Sequence, residues 1–259
     1  AVERAATATL AQQLIARNGA NHRVDVIRED METCYLPGRV DVLVSEWLGV
    51  YGIDENLLAP LLLARDRWLK PGGRILPDVV TAWMAPVWCQ KRQEETEFFG
   101  RRPFGIDLSL LAAGTADSVL WVREGLRPEE LAAEPLPLWT VETNRYPTEK
   151  AQLPFRATRN FRLRGTARVN GLAAWFRAEF GDDLVLTNAP GSPRTHWGQY
   201  VFPLRETLTL EHGDVLTAVF TCLPSGPGYC NHAWSVRVGA GPCESHDTRL
   251  GAGPQWREL

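Results

Sequence analysis

The first eighty residues alternate between helical and extended patterns. Leu10, Leu14 and Ile15 recur at helical spacing within residues 4–18, and Asn18-Gly19 supplies a stop, so a helix is expected there. Val24 and Val26 alternate with polar neighbours over residues 23–28, which predicts a strand. Val40, Val42, Leu43 and Val44 form an apolar run ending at Ser45, the pattern of a strand covered on both faces. Residues 57–69 return to helical spacing with Pro60 in the first turn, and Pro71-Gly72-Gly73 is expected to end that helix. Residues 74–77 read as one more strand. Strand–helix–strand repetition of this kind implies parallel strands joined by crossover helices.

From about residue 157 the period becomes two. Ala174, Phe176, Ala178 and Phe180 alternate with Trp175, Arg177 and Glu179; Leu208 and Leu210 flank Thr209; Trp234, Val236 and Val238 alternate with Ser235 and Arg237. Turn signals at Asn170-Gly171, Gly181-Asp182-Asp183, His212-Gly213-Asp214 and Ser225-Gly226-Pro227-Gly228 separate these runs. The pattern predicts antiparallel strands, each with one buried face, in a sandwich or barrel. Residues 90–118, between the two regions, are helical and polar but carry Phe98, Phe99, Phe104, Leu108, Leu110 and Leu111, as a projecting arm would.

Composition narrows the function classes. The chain has 259 residues, enough for one large domain or two small ones, and 28 basic against 31 acidic residues give a net charge of −3. That balance disfavours a nucleic-acid coat or a polybasic membrane binder. Arginine outnumbers lysine 25 to 3, but the arginines are scattered. Arg156, Arg159, Arg162, Arg164 and Arg168 fall in a strand region and read as a solvated face. No apolar run reaches the roughly 18–20 residues of a spanning helix. The five cysteines are odd in number and unpaired in spacing, which fits reduced thiols and a cytoplasmic location, or a nuclear one in a eukaryote. Cys230, His232, Cys243 and His246 have ligand chemistry, but their spacing, with a strand between the pairs, does not suit structural zinc; no metal is expected.

The densest chemistry is Ser45-Glu46-Trp47-Leu48-Gly49-Val50-Tyr51-Gly52-Ile53-Asp54-Glu55, directly after an apolar strand. In open α/β sheets ligands bind beyond the carboxyl ends of strands. Glu46 and Glu55 could converge there on a cation, and a planar guanidinium matches paired carboxylates through bidentate hydrogen bonds. Taken alone, the spacing more commonly marks a solvated acidic loop with a glutamate at the next helix start. His196-Trp197 either presents a ring to a pocket or is a surface histidine beside a packed aromatic. Glu3, an acidic residue before a helix, has the chemistry to accept ribose hydroxyls.

Together these segments resemble the protein arginine methyltransferase family. The run from Val42 through Gly49 to Glu55 is similar to the family's double-glutamate loop. Residues 64–73 with Leu76-Pro77 resemble its next helix and strand, Ser192-Pro193 and Thr195-His196-Trp197 its Thr-His-Trp loop, and Ala1-Val2-Glu3 the end of its second strand. The match runs in order from residue 1 to about 240. The resemblance implies an α/β plus β protein. Residues 1–78 would be part of a Rossmann-like sheet binding S-adenosylmethionine, and residues 79–259 an antiparallel β-barrel substrate domain with an inserted helical dimerisation arm at about 90–118. Glu46 and Glu55 would hold the substrate guanidinium, with His196 beside them relaying a proton and Trp197 shaping the channel. Leu48 would stand in the substrate-facing place where the family usually has methionine. Glu3 would bind the ribose, and Met31 and Glu32 the adenine. The implied reaction is methyl transfer to arginine in proteins or peptides, giving mono- and asymmetric dimethylarginine, by a homodimer without nucleic-acid or membrane partners. The family's glycine-rich cofactor loop precedes the strand ending at Glu3 and has no counterpart in the sequence, which implies an N-terminally truncated member with weak cofactor binding. The alternative is a non-catalytic dimeric scaffold.

Overall fold

The computed structural model describes residues 1–163, 165–181 and 183–250. Arg164 and Asp182, named above in the basic strand region and in a turn, lie outside the described residues. Helix α1 (Thr7–Arg17) ends where the Asn18 side chain donates back to the Leu14 carbonyl at 2.8 Å and Gly19 turns to φ +64°. The strand expected over residues 23–28 is reduced to one parallel bridge, Val2 to Ile27. The Glu3 amide donates to the Ile27 carbonyl and the Ile27 amide to the Ala1 carbonyl, and no described strand lies alongside Val24 or Val26 to extend the ladder.

Strand β1 (Val40–Val44), helix α2 (Leu58–Trp68) and strand β2 (Leu69–Leu76) form the expected parallel crossover unit, with Val42, Leu43 and Val44 paired to Arg74, Ile75 and Leu76. The helix stops before Pro71-Gly72-Gly73, because Leu69 is already extended at ψ 132°. The three residues build a bulge within β2 instead: between paired positions β1 advances from Val40 to Val42 while β2 advances from Leu69 to Arg74. Gly72 sits at φ +76°, and a Cβ on Gly73 would lie 2.9 Å from the Asp41 carbonyl.

The chain continues through β3 (Val79–Val87), α3 (Gln90–Gly100), α4 (Ser109–Thr115), β4 (Leu120–Val122), β5 (Leu136–Glu142), β6 (Phe155–Arg162), β7 (Ala167–Phe180), β8 (Leu184–Thr187), β9 (Gln199–Leu210), β10 (Val215–Gly226), β11 (Tyr229–Val238) and β12 (Cys243–Asp247). These strands make two antiparallel sheets, ordered β12-β11-β10-β6 and β4-β9-β7-β3-β5, with β8 added to β7. Phe161, Phe176, Phe202, Phe220 and Trp234 fill the interior between them. The antiparallel region therefore starts well before residue 157. Strand β3 escaped the period-two reading because it is buried on both sides over most of its length and so does not alternate.

Strand β7 departs from expectation in two ways. Asn170-Gly171 lies inside the strand rather than at a turn: between paired positions β7 advances from Val169 to Gly171 while β9 advances from Leu208 to Pro203, so the bulge is on β9, and the Asn170 side-chain amide opposite it accepts the Cys89 amide at 2.8 Å and donates to the Cys89 carbonyl at 2.9 Å. Residues 169–176 are buried on both faces, because Ala173 and Trp175 pack with Val87, Val122, Leu126 and Val201 in a second small cluster outside the barrel.

Among the described residues no ladder joins the two sheets; side chains do. Arg159 on β6 donates from Nε to the Pro137 carbonyl and from Nη2 to the Leu138 carbonyl at 2.6 Å, both on β5. Arg205 on β9 donates its amide to Glu244 Oε1 at 2.6 Å and its Nη1 to the Ser245 carbonyl at 2.9 Å, both on β12. The buried His246 ring lies between Asp117 at 3.1 Å and Glu244 at 2.7 Å and stacks on Trp234. Cys230 and His232 face the interior, Cys243 is exposed, and no group of three or more metal ligands forms among the described residues. Arg156 and Arg162 are solvated, whereas the Arg168 guanidinium lies 3.7 Å over the Trp88 ring. In the arm, Phe98, Phe104 and Leu110 are 50, 96 and 87% exposed. No described helix is long and apolar enough to cross a membrane.

Candidate active site

The loop after β1 is shaped by its own polar groups. Glu46 Oε1 accepts the Leu48 amide at 3.0 Å, turning the chain inward. Gly49 and Gly52 exchange amide-to-carbonyl bonds at 3.2 and 3.3 Å, closing a tight turn over Val50 and Tyr51. Gly52 adopts φ +104°, and a Cβ on Gly49 would strike the Asp54 carboxyl. Asp54, 6% exposed, accepts the Val50 amide at 3.1 Å and the Tyr51 amide at 2.9 Å.

The barrel fixes this loop in space. Tyr51 is fully buried, its ring surrounded by Trp139, Tyr200, Phe202, Phe220 and His232 at centroid distances of 5.7–6.3 Å. Such ring pairs are each worth about 0.5–1.5 kcal/mol beyond area burial. Burial pushes the Tyr51 phenol well above its ordinary value, with Cys222 and Asp54 adding to the shift, so it stays neutral. At the other end Asn56 takes a left-handed φ of 52° and donates from Nδ2 to the Gly226 carbonyl at 2.9 Å, tying the loop to the β10–β11 hairpin. Helix α2 begins after Leu57, whose apolar side chain supplies no cap.

The Thr-His-Trp segment docks against this loop. Trp197 Nε1 donates to the Leu48 carbonyl at 2.9 Å, and the indole meets Phe176 edge-on at 5.1 Å. His196 is exposed and lies against the Trp197 ring at 3.9 Å.

A cleft of about 1050 Å³ runs from the first residues across β1 to the β10–β11 hairpin. Glu3, Met31, Glu32 and Glu46 all line it, over an apolar floor that includes Val42, Val44 and Leu63. Glu3 Oε1 accepts the Ala5 amide at 2.7 Å, leaving its carboxylate further acceptor sites toward the cleft. Met31 sits in a turn in which the Asp30 carbonyl accepts the amides of Thr33 and Cys34. The wall carries five carboxylates (Glu3, Glu29, Asp30, Glu32 and Glu46) against one arginine, Arg4, so it favours cations.

Four residues singled out in the sequence are not part of that wall: Glu55, His196, Trp197 and Leu48. Glu55 is exposed and precedes Asn56 of the wall in sequence, His196 is exposed against the Trp197 ring, and Trp197 is consumed in packing between the two loops. Leu48 is 2% exposed and belongs to the core, not to a substrate surface, because the Glu46 turn directs this apolar side chain inward. Asp54, Asn56 and Asn188 were missed. Asp54 had a signal, a carboxylate three residues beyond a Gly-Val-Tyr turn, where short acidic side chains accept local amides. Asn188 had none, since the partner that ties it to the glutamate loop, Val50, lies 138 residues away.

Comparison with known proteins gives a consistent picture. Residues 41–231 match a family described as the arginine methyltransferase oligomerization subdomain, and residues 1–73 match PRMT5 arginine-N-methyltransferase. Protein arginine N-methyltransferase 6 of Xenopus laevis is 28% identical over 251 residues, covering 93% of this chain and 73% of that protein. Protein arginine N-methyltransferase 2 of Xenopus tropicalis is 32% identical over 226 residues, covering 84% of this chain and 52% of that one. The solved Trypanosoma brucei PRMT1 enzyme-prozyme heterotetrameric complex with AdoHcy shares the fold, with a TM-score of 0.81 at 22% identity over 95% of this chain and 78% of that chain.

Proposed function

Because the chain belongs to the protein arginine methyltransferase family, we propose that it transfers methyl groups to a guanidinium nitrogen of arginine in protein or peptide substrates. The observation that carries this reading is the placement of Glu46 on the wall of the cleft that Glu3, Met31 and Glu32 also line. The cleft lies at the upper end of the roughly 300–1,000 Å³ typical of cofactor sites. Its chemistry fits S-adenosylmethionine: a carboxylate, Glu3, for vicinal hydroxyls, Met31 and Glu32 at a turn for the base, and an acidic surround for a sulfonium cation. That group supplies, when bound, an electrophilic methyl on positively charged sulfur.

The chain's own residues do the rest by positioning and electrostatics. Glu46 and Glu55 hold the guanidinium through charge-assisted hydrogen bonds and draw its positive charge toward the nitrogens they contact. The attacking nitrogen is thereby left with its electron pair free. The guanidinium stays protonated at any ordinary pH, so proton loss does not precede attack: the proton becomes acidic only as the new bond forms. A ring nitrogen of the exposed His196 takes that proton, and Trp197 holds His196 against the loop. The products are mono- and asymmetric dimethylarginine. The working form is a homodimer joined through the arm at 90–118, in the cytoplasm, with residues 1–78 serving the cofactor and 79–259 the substrate. In support of that division, β2 closes the parallel pair at Leu76 and β3 opens the antiparallel sheet at Val79.

The test is label transfer from radiolabelled S-adenosylmethionine to an arginine- and glycine-rich peptide. Glu46→Gln removes one clamp charge at an exposed position, and a drop of about 100-fold or more is expected with the fold unchanged. Transfer that is absent in the parent chain and equally absent in the variant overturns the reading. Calorimetric titration with S-adenosylhomocysteine separates a catalyst from a scaffold that binds no cofactor.

A further inference from the structure

We infer that Asn188 is a positioning residue of the arginine clamp, a bracket that sets the glutamate loop against the histidine loop; the inference rests on the function proposed above. Asn188 follows β8 directly and is 2% exposed. Its amide uses its donors on two segments far apart in the chain. Nδ2 donates to the Val50 carbonyl at 2.7 Å, between Glu46 and Glu55, and to the Gly198 carbonyl at 2.5 Å, two residues past His196. Its Oδ1 accepts the Phe176 amide from β7 at 2.9 Å, and its own carbonyl accepts Gln199 Nε2.

One planar group thus fixes three backbones, with both its donors used and its oxygen accepting a third bond. The Trp197-to-Leu48 bond is the second fastening between the same two loops. Two fastenings leave less freedom of relative orientation than the pivot a single one would give. Asn188 touches neither the cleft nor any atom that reacts, because it is absent from the cleft wall. It acts only through the separation of the Glu46–Glu55 turn from His196. A misplacement on the order of 1 Å between such groups is enough to cost about 100-fold in rate.

The substitution Asn188→Asp preserves shape and the acceptor for Phe176 but puts a carboxylate oxygen opposite two carbonyl oxygens. Asn188→Ala removes volume and all three bonds without adding repulsion. Both are compared with the parent chain in the full protein. Readouts are cofactor affinity by titration with S-adenosylhomocysteine, peptide KM and kcat, and the pH profile of kcat relative to the parent.

The bracket predicts that Asn188→Asp loses kcat by about 10- to 100-fold, with peptide KM and cofactor affinity within about threefold. It also predicts that the aspartate variant is the less active of the two at neutral pH, and that it recovers relative to the parent as pH falls, since only the protonated acid can donate. A residue that merely fills space gives the opposite order, with alanine worse and no recovery at low pH, and that result overturns the inference. An unchanged kcat in both variants overturns it as well. If the parent chain itself transfers no methyl group, the proposed function fails and this inference with it, whereas an active parent with indifferent variants removes the bracket alone. Should the aspartate variant not fold, the alanine variant decides: a loss of kcat at constant cofactor affinity supports the bracket, and parallel loss of both refutes it.

Discussion

Removing the carboxyl of Asp54 tests whether the glutamate loop is held from within. Asp54 is 6% exposed and accepts two backbone amides, Val50 at 3.1 Å and Tyr51 at 2.9 Å. An orphaned buried amide costs about 1–3 kcal/mol, so Asp54→Ala, which strands both, should cost about 2–6 kcal/mol. Asp54→Asn keeps one acceptor oxygen and should cost about half as much, roughly 1–3 kcal/mol. Against a net stability of about 5–15 kcal/mol, even the milder change is visible in urea unfolding as a shifted midpoint at constant slope. The same variants should lose methyl transfer by about tenfold or more, because both glutamates hang from the turn that Asp54 closes. Asp54→Ala within about 0.5 kcal/mol of the parent, the ordinary range of surface substitutions, would falsify the claim that these bonds hold the loop.

Three further outcomes are expected. Burial tends to raise Glu244, but hydrogen bonds from His246 and the Arg205 amide, with the charges of both partners, outweigh it and hold its pKa below the usual value. A depressed folded pKa contributes stability above the ordinary carboxylate value and loses it as pH falls through the folded one. Glu244→Gln should therefore be less stable than the parent at neutral pH and converge with it below about pH 4, followed by thermal unfolding. Arg159→Leu removes two bonds across the β5–β6 seam and should cost about 1–3 kcal/mol by urea unfolding. Phe104→Ser, at a 96% exposed side chain, should leave monomer stability unchanged but shift sedimentation toward monomer if the arm mediates dimerisation.

The legibility of the fold followed burial. The parallel unit was readable because β1 and α2 carry distinct apolar periods, and strands such as β11 alternate cleanly between interior and solvent. Strand β3 and the middle of β7 were not, since a second cluster around Trp175 covers their outer face and erases the alternation. Glycine and asparagine misled twice: Pro71-Gly72-Gly73 builds a bulge, and Asn170-Gly171 runs through a strand opposite a bulge of β9, where residues that permit turns make none. Glu3, Met31, Glu32 and Glu46, singled out by chemistry close in sequence or by resemblance, line one cleft. Asn188 was invisible because its meaning is set by Val50, 138 residues away, and by Phe176 and Gly198. Leu48 was misread because side-chain direction in a loop is fixed by local bonds that no periodicity reports.

The seams between the two sheets carry a mechanical consequence. A ladder resists both sliding and opening along its whole length. A joint made at side chains, as at Arg159, at Arg205 and where the Trp234 indole donates to the Pro203 carbonyl, holds at those points only and leaves the rest to the shared aromatic interior. The hairpin at residues 224–228 that closes one side of the cleft moves with the four-stranded sheet, while Asn188 and Gly198 move with the other. The glutamate loop is fastened to both halves, by Asn56 to that hairpin and through Asn188 to β7, so a shift of one sheet on the other loads this loop without breaking a strand pairing.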